Sequence, residues 1–518
     1  MVEAAEKSVP VSSGSGKLVG EVLVVGVGIA GIQASLDLTN LGFHVTAIDK
    51  KATIGGIMAQ LDKTFPTNDC SLCIEAPKMV EVFRDPNITL YSNTIIKKLQ
   101  YLDDGNIKVI LEKKRMGIDE SICKNCSECY NICPVRFKED LTWFDAGLNT
   151  RHAANIPFPS AVPPVYGIDP EKCLHERFGI CGKCQEICPA DCIDYDFTPE
   201  TIEVVVGSVI FATGSEQMAP ELFPRFLGSH PDVINGIQFE RLMCASGPEG
   251  GEIIKLSTRE HAHRIAFLQC VGSRSKKEGM LEYCSSVCCM YAMKEAQITK
   301  EHDPDVECFI FNTENRACSK GFHEYYLRAK NEYGVEFKQG RVGAIRKDPN
   351  SFDLIVEYED GESGDIKEQM VDLVVLETAL VPNTTDIAEI MDLELNNHKY
   401  FDQDVVANLE NKGVFLAGYN IKPMDIPLSV VSGSAAAAKA SERLSGSRFN
   451  KIVEKQFPEE KKVTADDEPR IGVMVCHCGI NIGRTVDVKR VADEILNEPN
   501  VEAAIHNYYS CSSDSQVT

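Results

Sequence analysis

EVLVVGVGIAG, residues 21–31, joins an apolar, β-branched run to three glycines spaced Gly26-x-Gly28-x-x-Gly31. The run predicts a buried strand, and the residues after it predict an amphipathic helix to about Leu41 and a second strand, HVTAID, ending at Asp49. Three glycines at that spacing permit a tight turn and close approach of a pyrophosphate to the helix N-terminus, while the terminal carboxylate accepts a ribose hydroxyl. A GxGxxG alone is a weak signal. Strand, turn, helix, second strand and acid in this order form a specific one, and Ala30 and Lys50 complete this first part of the candidate dinucleotide site.

Composition narrows the rest. A net charge of −24 over 518 residues argues against a phosphate-backbone partner, so no nucleic-acid binding is expected. No apolar run long enough to span a bilayer and no charged-then-apolar leader occur, which predicts a soluble, cytoplasmic protein whose residues 1–20 form a disordered tail. The 21 cysteines would suggest disulfides in a secreted chain, but most stand in tight Cys-x-x-Cys spacings without a signal peptide. Metal clusters are the expectation.

Downstream of the first nucleotide unit stands Cys123-x2-Cys126-x2-Cys129-x3-Cys133-Pro134, the bacterial ferredoxin run in which the fourth cysteine serves the other cluster. A second run follows as Cys173-x7-Cys181-x2-Cys184-x3-Cys188-Pro189, its first interval stretched by LHERFGI. The crossing rule assigns Cys123, Cys126, Cys129 and Cys188 to one [4Fe–4S] cluster and Cys173, Cys181, Cys184 and Cys133 to a second. Zinc knuckles are the competing reading, and the proline after each fourth cysteine counts against it. Cys192 is left over as a packed thiol. The proline-rich IPFPSAVPP between the runs reads as an extended connector wrapping the insert.

From His263 the nucleotide-domain pattern restarts with strand RIAFLQ, a helix from about Ser286 to Lys300, strand VECFIFN, a helix from about Lys320, and strands through VDLVVLE. Its first strand leads to QCVGSR, and the pyrophosphate turn is missing. In its place stand Cys270 at the strand end and Cys284, Cys288 and Cys289 at the helix N-terminus, where backbone N–H groups favour thiolates. Four cysteines at one strand–helix junction predict a third cluster, with simple packing as the alternative. Cys70-x2-Cys73 admits three readings: a redox dithiol, a pair of cluster ligands, or packed thiols.

Gly55-Gly56, VVVGSVIFATG at 204–214 with Ala212, Thr213 and Gly214, and VFLAGYN at 414–420 with Gly418 are stretches that FAD-dependent two-dinucleotide-domain flavoproteins carry, so FAD is the expected cofactor. Over nearly its whole length the chain resembles the HdrA family of heterodisulfide reductases, the flavin and iron–sulfur components of electron-bifurcating complexes. The resemblance rests on GVGIAGIQASLDL, GGIMAQLDKTFPTNDCSLC, the CxxCxxCxxxCP insert, IPFPSAVP, QCVGSR, YCSSVCCMYAMKEA and DIPLSVVSGSAAAAKA. It implies an α/β fold, thioredoxin-reductase-like with two dinucleotide domains and an inserted 2[4Fe–4S] ferredoxin, and one FAD that splits electron pairs between two acceptors. It matches Cys270, Cys284, Cys288 and Cys289 to the family's four-cysteine site and places Lys294 beside the flavin, where a cation stabilises a reduced anionic ring. Expected partners are other subunits of a heterodisulfide reductase-like complex, an electron-donating hydrogenase, dehydrogenase or ferredoxin, and a second copy in a homodimeric core.

IGVMVCHCGINIG, with Cys476 and Cys478, and Cys511 in YYSCSSD resemble a cluster domain that usually precedes the flavin domain in this family, whereas here they follow it. Only three cysteines fall there, which leaves a further cluster as an open alternative. The expected organisation is a flavin-binding unit in three pieces (21–117, 201–262 and 383–445), a ferredoxin insert at 118–200, a degenerate nucleotide unit at 263–382, a linker at 446–469 and a partial cluster unit at 470–518. The competing functions are a self-contained NAD(P)H:disulfide oxidoreductase using Cys70 and Cys73, which the missing second GxGxxG disfavours, and a scaffold with structural clusters.

Overall fold

In the computed structural model, which describes residues 18–454, 464, 467–477, 482–483, 485–507 and 510, the opening stretch is strand β1 (Glu21–Val25) followed by helix α1 (Ile29–Asn40). Val22, Leu23 and Val24 are fully buried because β1 is the central strand of a five-stranded parallel sheet. On one side it pairs with β2 (His44–Ile48), which pairs in turn with a strand at Ile88–Tyr91. Between those two strands runs helix α2 (Ser71–Arg84). The other neighbour of β1 is β3 (Ser208–Phe211), in the register Val22↔Ser208 to Val25↔Phe211, with Val414–Leu416 beyond it. Helix α1 packs between this sheet and the helix Ile426–Arg443. The turn has no spare room: a Cβ on Gly31 would collide with the Gly26 carbonyl oxygen.

An antiparallel three-stranded sheet (94–101, 107–113 and 200–206) encloses a second core on the opposite face. The insert leaves after Lys113 and returns at Glu200, which are paired neighbours in that sheet. Adjacent exit and return points are what let a surface connection carry a whole extra unit without disturbing the sheet. Inside the insert two short helices, Glu128–Ile132 and Lys183–Ile187, pack together around an apolar and cysteine-rich centre.

The second nucleotide unit is a seven-stranded sheet in the order 233–235, 373–378, 264–271, 307–312, 336–347, 354–360, 366–371. Its third strand, β4 (Arg264–Val271), pairs parallel with the strands on both sides. This sheet begins thirty residues before the expected boundary at His263. Val233–Asn235 pairs with Val374–Leu376, and Asn235 starts helix α3 (Gly236–Met243) with a reciprocal cap to Gln238. Residues 233–243 therefore belong to the second unit and not to the first. Helix α4 (Cys288–His302) follows β4 after a sixteen-residue connection and is buried on nearly every side. Residues 471–476, 488–495 and 501–507 make a small β-α-β unit. Among the described residues, no helix is long and apolar enough to cross a membrane. Of the tail expected at 1–20, residues 1–17 lie outside the described residues, whereas 18–20 belong to the fold: Val19 N–H donates to Asn106 Oδ1 (2.8 Å), and the buried Gly20 accepts from His44 N–H.

Candidate functional site

The residues expected to hold a dinucleotide meet at the carboxyl ends of the parallel strands. Val27 N–H donates to Asp49 Oδ2 (2.9 Å) and Lys51 N–H to Oδ1 (2.9 Å), which fixes the carboxylate beside the β1–α1 turn. Burial pushes the Asp49 carboxyl up, and those two backbone donors pull against it. Gly28 bridges Gly55, whose N–H donates to Val27 O. At the end of β3, Gly214 N–H donates to Asn420 Oδ1 (3.0 Å) and Thr213 Oγ1–H to Asn383 O (2.6 Å). Gly418 N–H donates to Ser432 Oγ (2.7 Å), closing the crevice from the return segment. Lys50 turns outward to Glu216 (3.2 Å).

A cavity of about 410 Å³ opens beside Asp49, floored by Lys51, Ser92 and Asn93 and roofed by Trp143, Phe158 and Tyr166 of the insert. Of the residues expected to hold a dinucleotide, Lys50 and Gly56 line this cavity, next in sequence to Asp49 and Gly55. The connector that reads from sequence as a wrapping strap is one wall of this cavity.

In the insert, Cys123, Cys126, Cys129 and Cys188 line one small cavity, the set the crossing rule selects. Cys192 lines it too, with its sulfur 3.4 Å from that of Cys188. Burial, reinforced by Cys123, pushes the Cys129 thiol up to about 12. At the other end Cys184 contacts the Tyr195 hydroxyl (3.1 Å), and burial and the thiols of Cys184, Cys173 and Cys181 raise that phenol. His175 stacks on Tyr195 at 3.8 Å. Cys133 points its sulfur toward Val135 O (3.9 Å) in the same buried cluster.

At the head of the second unit the chain leaves β4 through Cys270, a non-glycine residue at φ +61°. Arg274 Nη1 donates to Cys270 Sγ (3.8 Å), Ser286 N–H to Cys284 Sγ (3.4 Å), and Gln269 Nε2 to Cys288 O (3.3 Å). The Cys288 thiol holds its neighbour Cys289 down at about 7 although burial opposes it. Cys288 itself is pushed well up by Cys289 and by burial, with Cys270 and Cys284 adding to the effect. All four sulfurs thus share one electrostatic neighbourhood.

Lys294 lies about one and a half turns further along α4, is 1% exposed, and pairs with Glu240 of α3. Glu240 Oε2 accepts from Asp62 N–H (3.0 Å), so this pair ties the second unit to the first. Glu295 and Glu377, both fully buried, crowd the same ammonium, and burial lifts both carboxyls well above their usual range. Burial and then Glu240 push the Asp62 carboxyl from 3.8 up to about 6. Of this network the sequence reading names only Lys294. No local signal in the sequence marks the rest, because Lys294, Glu295, Gln297 and Thr299 become buried together only when α4 is packed on nearly every side.

The raised Asp62 carboxyl has a stability consequence. Folded chains keep the proton up to about pH 6 while unfolded chains release it near 3.8, so this group weakens the fold as pH rises between those values and holds the full penalty above them. Asp62→Asn is expected to stabilise the protein by up to ~3 kcal/mol at pH 8, with the gain vanishing toward pH 4. Thermal unfolding of both forms across that range checks it, and a gain that does not change with pH would contradict it.

Cys70 caps α2, its sulfur accepting from Cys73 N–H (3.3 Å), and Cys73 holds the Cys70 thiol down at about 7. Cys476 Sγ accepts from Ser510 N–H (3.4 Å), whereas Cys478 and Cys511 lie outside the described residues.

The chain matches no family profile. It is 41% identical over 434 residues to a protein of Methanocaldococcus jannaschii named as the iron–sulfur A-type subunit of CoB–CoM heterodisulfide reductase, covering 82% of this chain and 64% of that one. It is 40% identical over 431 residues to the A-type subunit of H2:CoB–CoM heterodisulfide,ferredoxin reductase of Methanothermobacter marburgensis, covering 81% and 63%. It is also 38% identical over 462 residues to the A-type subunit of H2/formate:CoB–CoM heterodisulfide,ferredoxin reductase of Methanococcus maripaludis, covering 88% and 68%. The chain therefore spans about two thirds of the length of these relatives. Among solved structures, thioredoxin reductases of Lactococcus lactis (13% identity, TM-score 0.44, 82% of this chain and 99% of that one) and T. acidophilum (13%, 0.41, 82% and 97%) are similar.

Proposed function

Because the chain belongs to the HdrA family of heterodisulfide reductases, we propose that it is the FAD- and iron–sulfur-dependent electron-transfer component of a multisubunit complex, bifurcating or confurcating electron pairs. The observation that carries this reading is the head of α4: a nucleotide-type sheet whose β4–α4 junction presents Cys270, Cys284, Cys288 and Cys289 where a second pyrophosphate turn would stand. FAD supplies two-electron chemistry that can be divided into single-electron steps, and [4Fe–4S] clusters supply single-electron transfer.

The residues that would hold FAD are the Gly26–Gly31 turn, Asp49, Gly55, Gly56, Ala212–Gly214 and Gly418, together with the aromatic roof from the insert. One cluster would use Cys123, Cys126, Cys129 and Cys188, a second Cys133, Cys173, Cys181 and Cys184, and a third the four cysteines around α4. A fourth, at Cys476, Cys478 and Cys511, needs one more ligand. Lys294 would face the flavin from α4, its Nζ oriented by Glu240. Partners would be a protein that reduces a disulfide and a hydrogenase, dehydrogenase or ferredoxin that donates electrons. A self-contained NAD(P)H:disulfide oxidoreductase through Cys70 and Cys73 would need the second pyrophosphate turn that the chain lacks.

Anaerobic purification from the native source tests the proposal. The chain should carry about one FAD and at least ~12 iron atoms and bring with it a second protein that reduces disulfides. A chain that purifies alone, free of iron and active with NADPH on disulfides, would overturn it.

A further inference from the structure

Among the described residues, one group of metal-ligating side chains stands apart from the cysteines and the crevice. His261, His263 and Asp303 each offer a ligand atom, and the three atoms lie within 4.8 Å of one another. The two imidazole rings are 5.1 Å apart, and His261 Nδ1 lies 3.9 Å from Asp303 Oδ2.

The backbone fixes this arrangement from both sides. Ala262 is fully buried and its N–H donates to Ile253 O, so the flanking histidines turn outward together, as alternate residues of an extended segment do. His263 is anchored at both ends, its N–H donating to Asp372 Oδ2 (2.8 Å) and its carbonyl accepting from Glu307 N–H (2.7 Å). Asp303 ends α4, and its Oδ1 accepts from Asp305 N–H (2.9 Å), which leaves Oδ2 directed at His261.

His261 Nδ1 is shielded from solvent and has no hydrogen-bond partner. A gap of 3.9 Å is too long for a hydrogen bond. Two ligands that each stand about 2.0–2.2 Å from a shared tetrahedral ion lie about 3.3–3.6 Å apart, so a small inward turn of either side chain closes the 3.9 Å gap around an ion. Two imidazole nitrogens and one carboxylate, with no thiolate, make a donor set for a borderline divalent ion and not for an iron–sulfur cluster. The acidic chain favours accumulation of cations at such a surface.

We propose that His261, His263 and Asp303 bind a divalent transition ion of the zinc class, with water as the fourth ligand, and that the ion clamps the entry to β4 against the end of α4. The clamp would hold the far end of the helix whose first turn carries Cys288 and Cys289.

The test is equilibrium dialysis of the complete chain, purified anaerobically with its iron and flavin, against Zn2+ buffered near ~1 µM free ion, with metals counted per chain. Wild type should retain about one zinc more than His263→Ala, and Asp303→Asn should bind that zinc at least ~10-fold more weakly, with iron and flavin unchanged in both. Equal zinc in wild type and both variants would overturn the site. If His263→Ala loses iron, His263→Gln with hydrogen exchange decides: zinc should slow exchange at 259–264 and 300–306 in wild type alone, and equal slowing in the variant would also overturn the proposal.

Discussion

Gly28→Val is expected to empty the chain of flavin while leaving its iron in place. Gly28 sits between β1 and α1 and bridges Gly55, and a Cβ built on it would stand 3.6 Å from Gly56 Cα and 4.0 Å from Gly55 O. One methyl therefore meets only ordinary contact, but the two γ-carbons of valine would occupy the space a pyrophosphate must cross to reach the helix N-terminus. The backbone at Gly28 is extended (φ −79°, ψ −172°), so valine is sterically permitted by the chain itself and the fold should survive. Gly28→Ala should retain part of the flavin, and Gly28→Val should retain under about a tenth of it. Flavin absorbance and iron per chain, measured on the same preparations, check both. Normal flavin content in Gly28→Val would remove this crevice from the account, whereas joint loss of flavin and iron would mean that the substitution unfolds the chain.

The first nucleotide unit was legible because its signals are local: an apolar run, three spaced glycines and an acid at the end of the next strand, all within thirty residues. The ferredoxin spacing was legible for the same reason, and Cys188 does line the cavity of Cys123, Cys126 and Cys129. What escaped depends on contacts far apart in sequence. Val233–Asn235 has no strand signal of its own, and its place is set by pairing with Val374–Leu376, some 140 residues later. Asp62, Glu240, Glu295 and Glu377 look like ordinary charged residues until burial brings them around one lysine. Trp143, Phe158 and Tyr166 belong by sequence to the insert, and only the folded chain places them over the cavity beside Asp49. His261 and His263 are two residues apart, but their third partner, Asp303, arrives from the end of α4.

Cys288→Ser should cost the protein one whole cluster, about four iron atoms, because an alkoxide is a poor substitute for a thiolate and Cys288 is the most enclosed of its four cysteines. Flavin should stay, since Gly26–Gly31, Asp49 and Gly418 are untouched. The same junction bears on what can reduce the chain: it presents four cysteines and no glycine-rich pyrophosphate turn, so a nicotinamide donor is not expected to bind there. The direct measurement is an anaerobic titration of wild type and Cys288→Ser, first with NADH or NADPH and then with dithionite, followed by flavin absorbance and EPR. Wild type should remain oxidised with either nicotinamide and reduce fully with dithionite, and the variant should lack one cluster signal. Rapid reduction of wild type by NADH or NADPH, or an unchanged set of cluster signals in Cys288→Ser, would contradict a cluster at the head of α4 and favour the NAD(P)H:disulfide oxidoreductase reading.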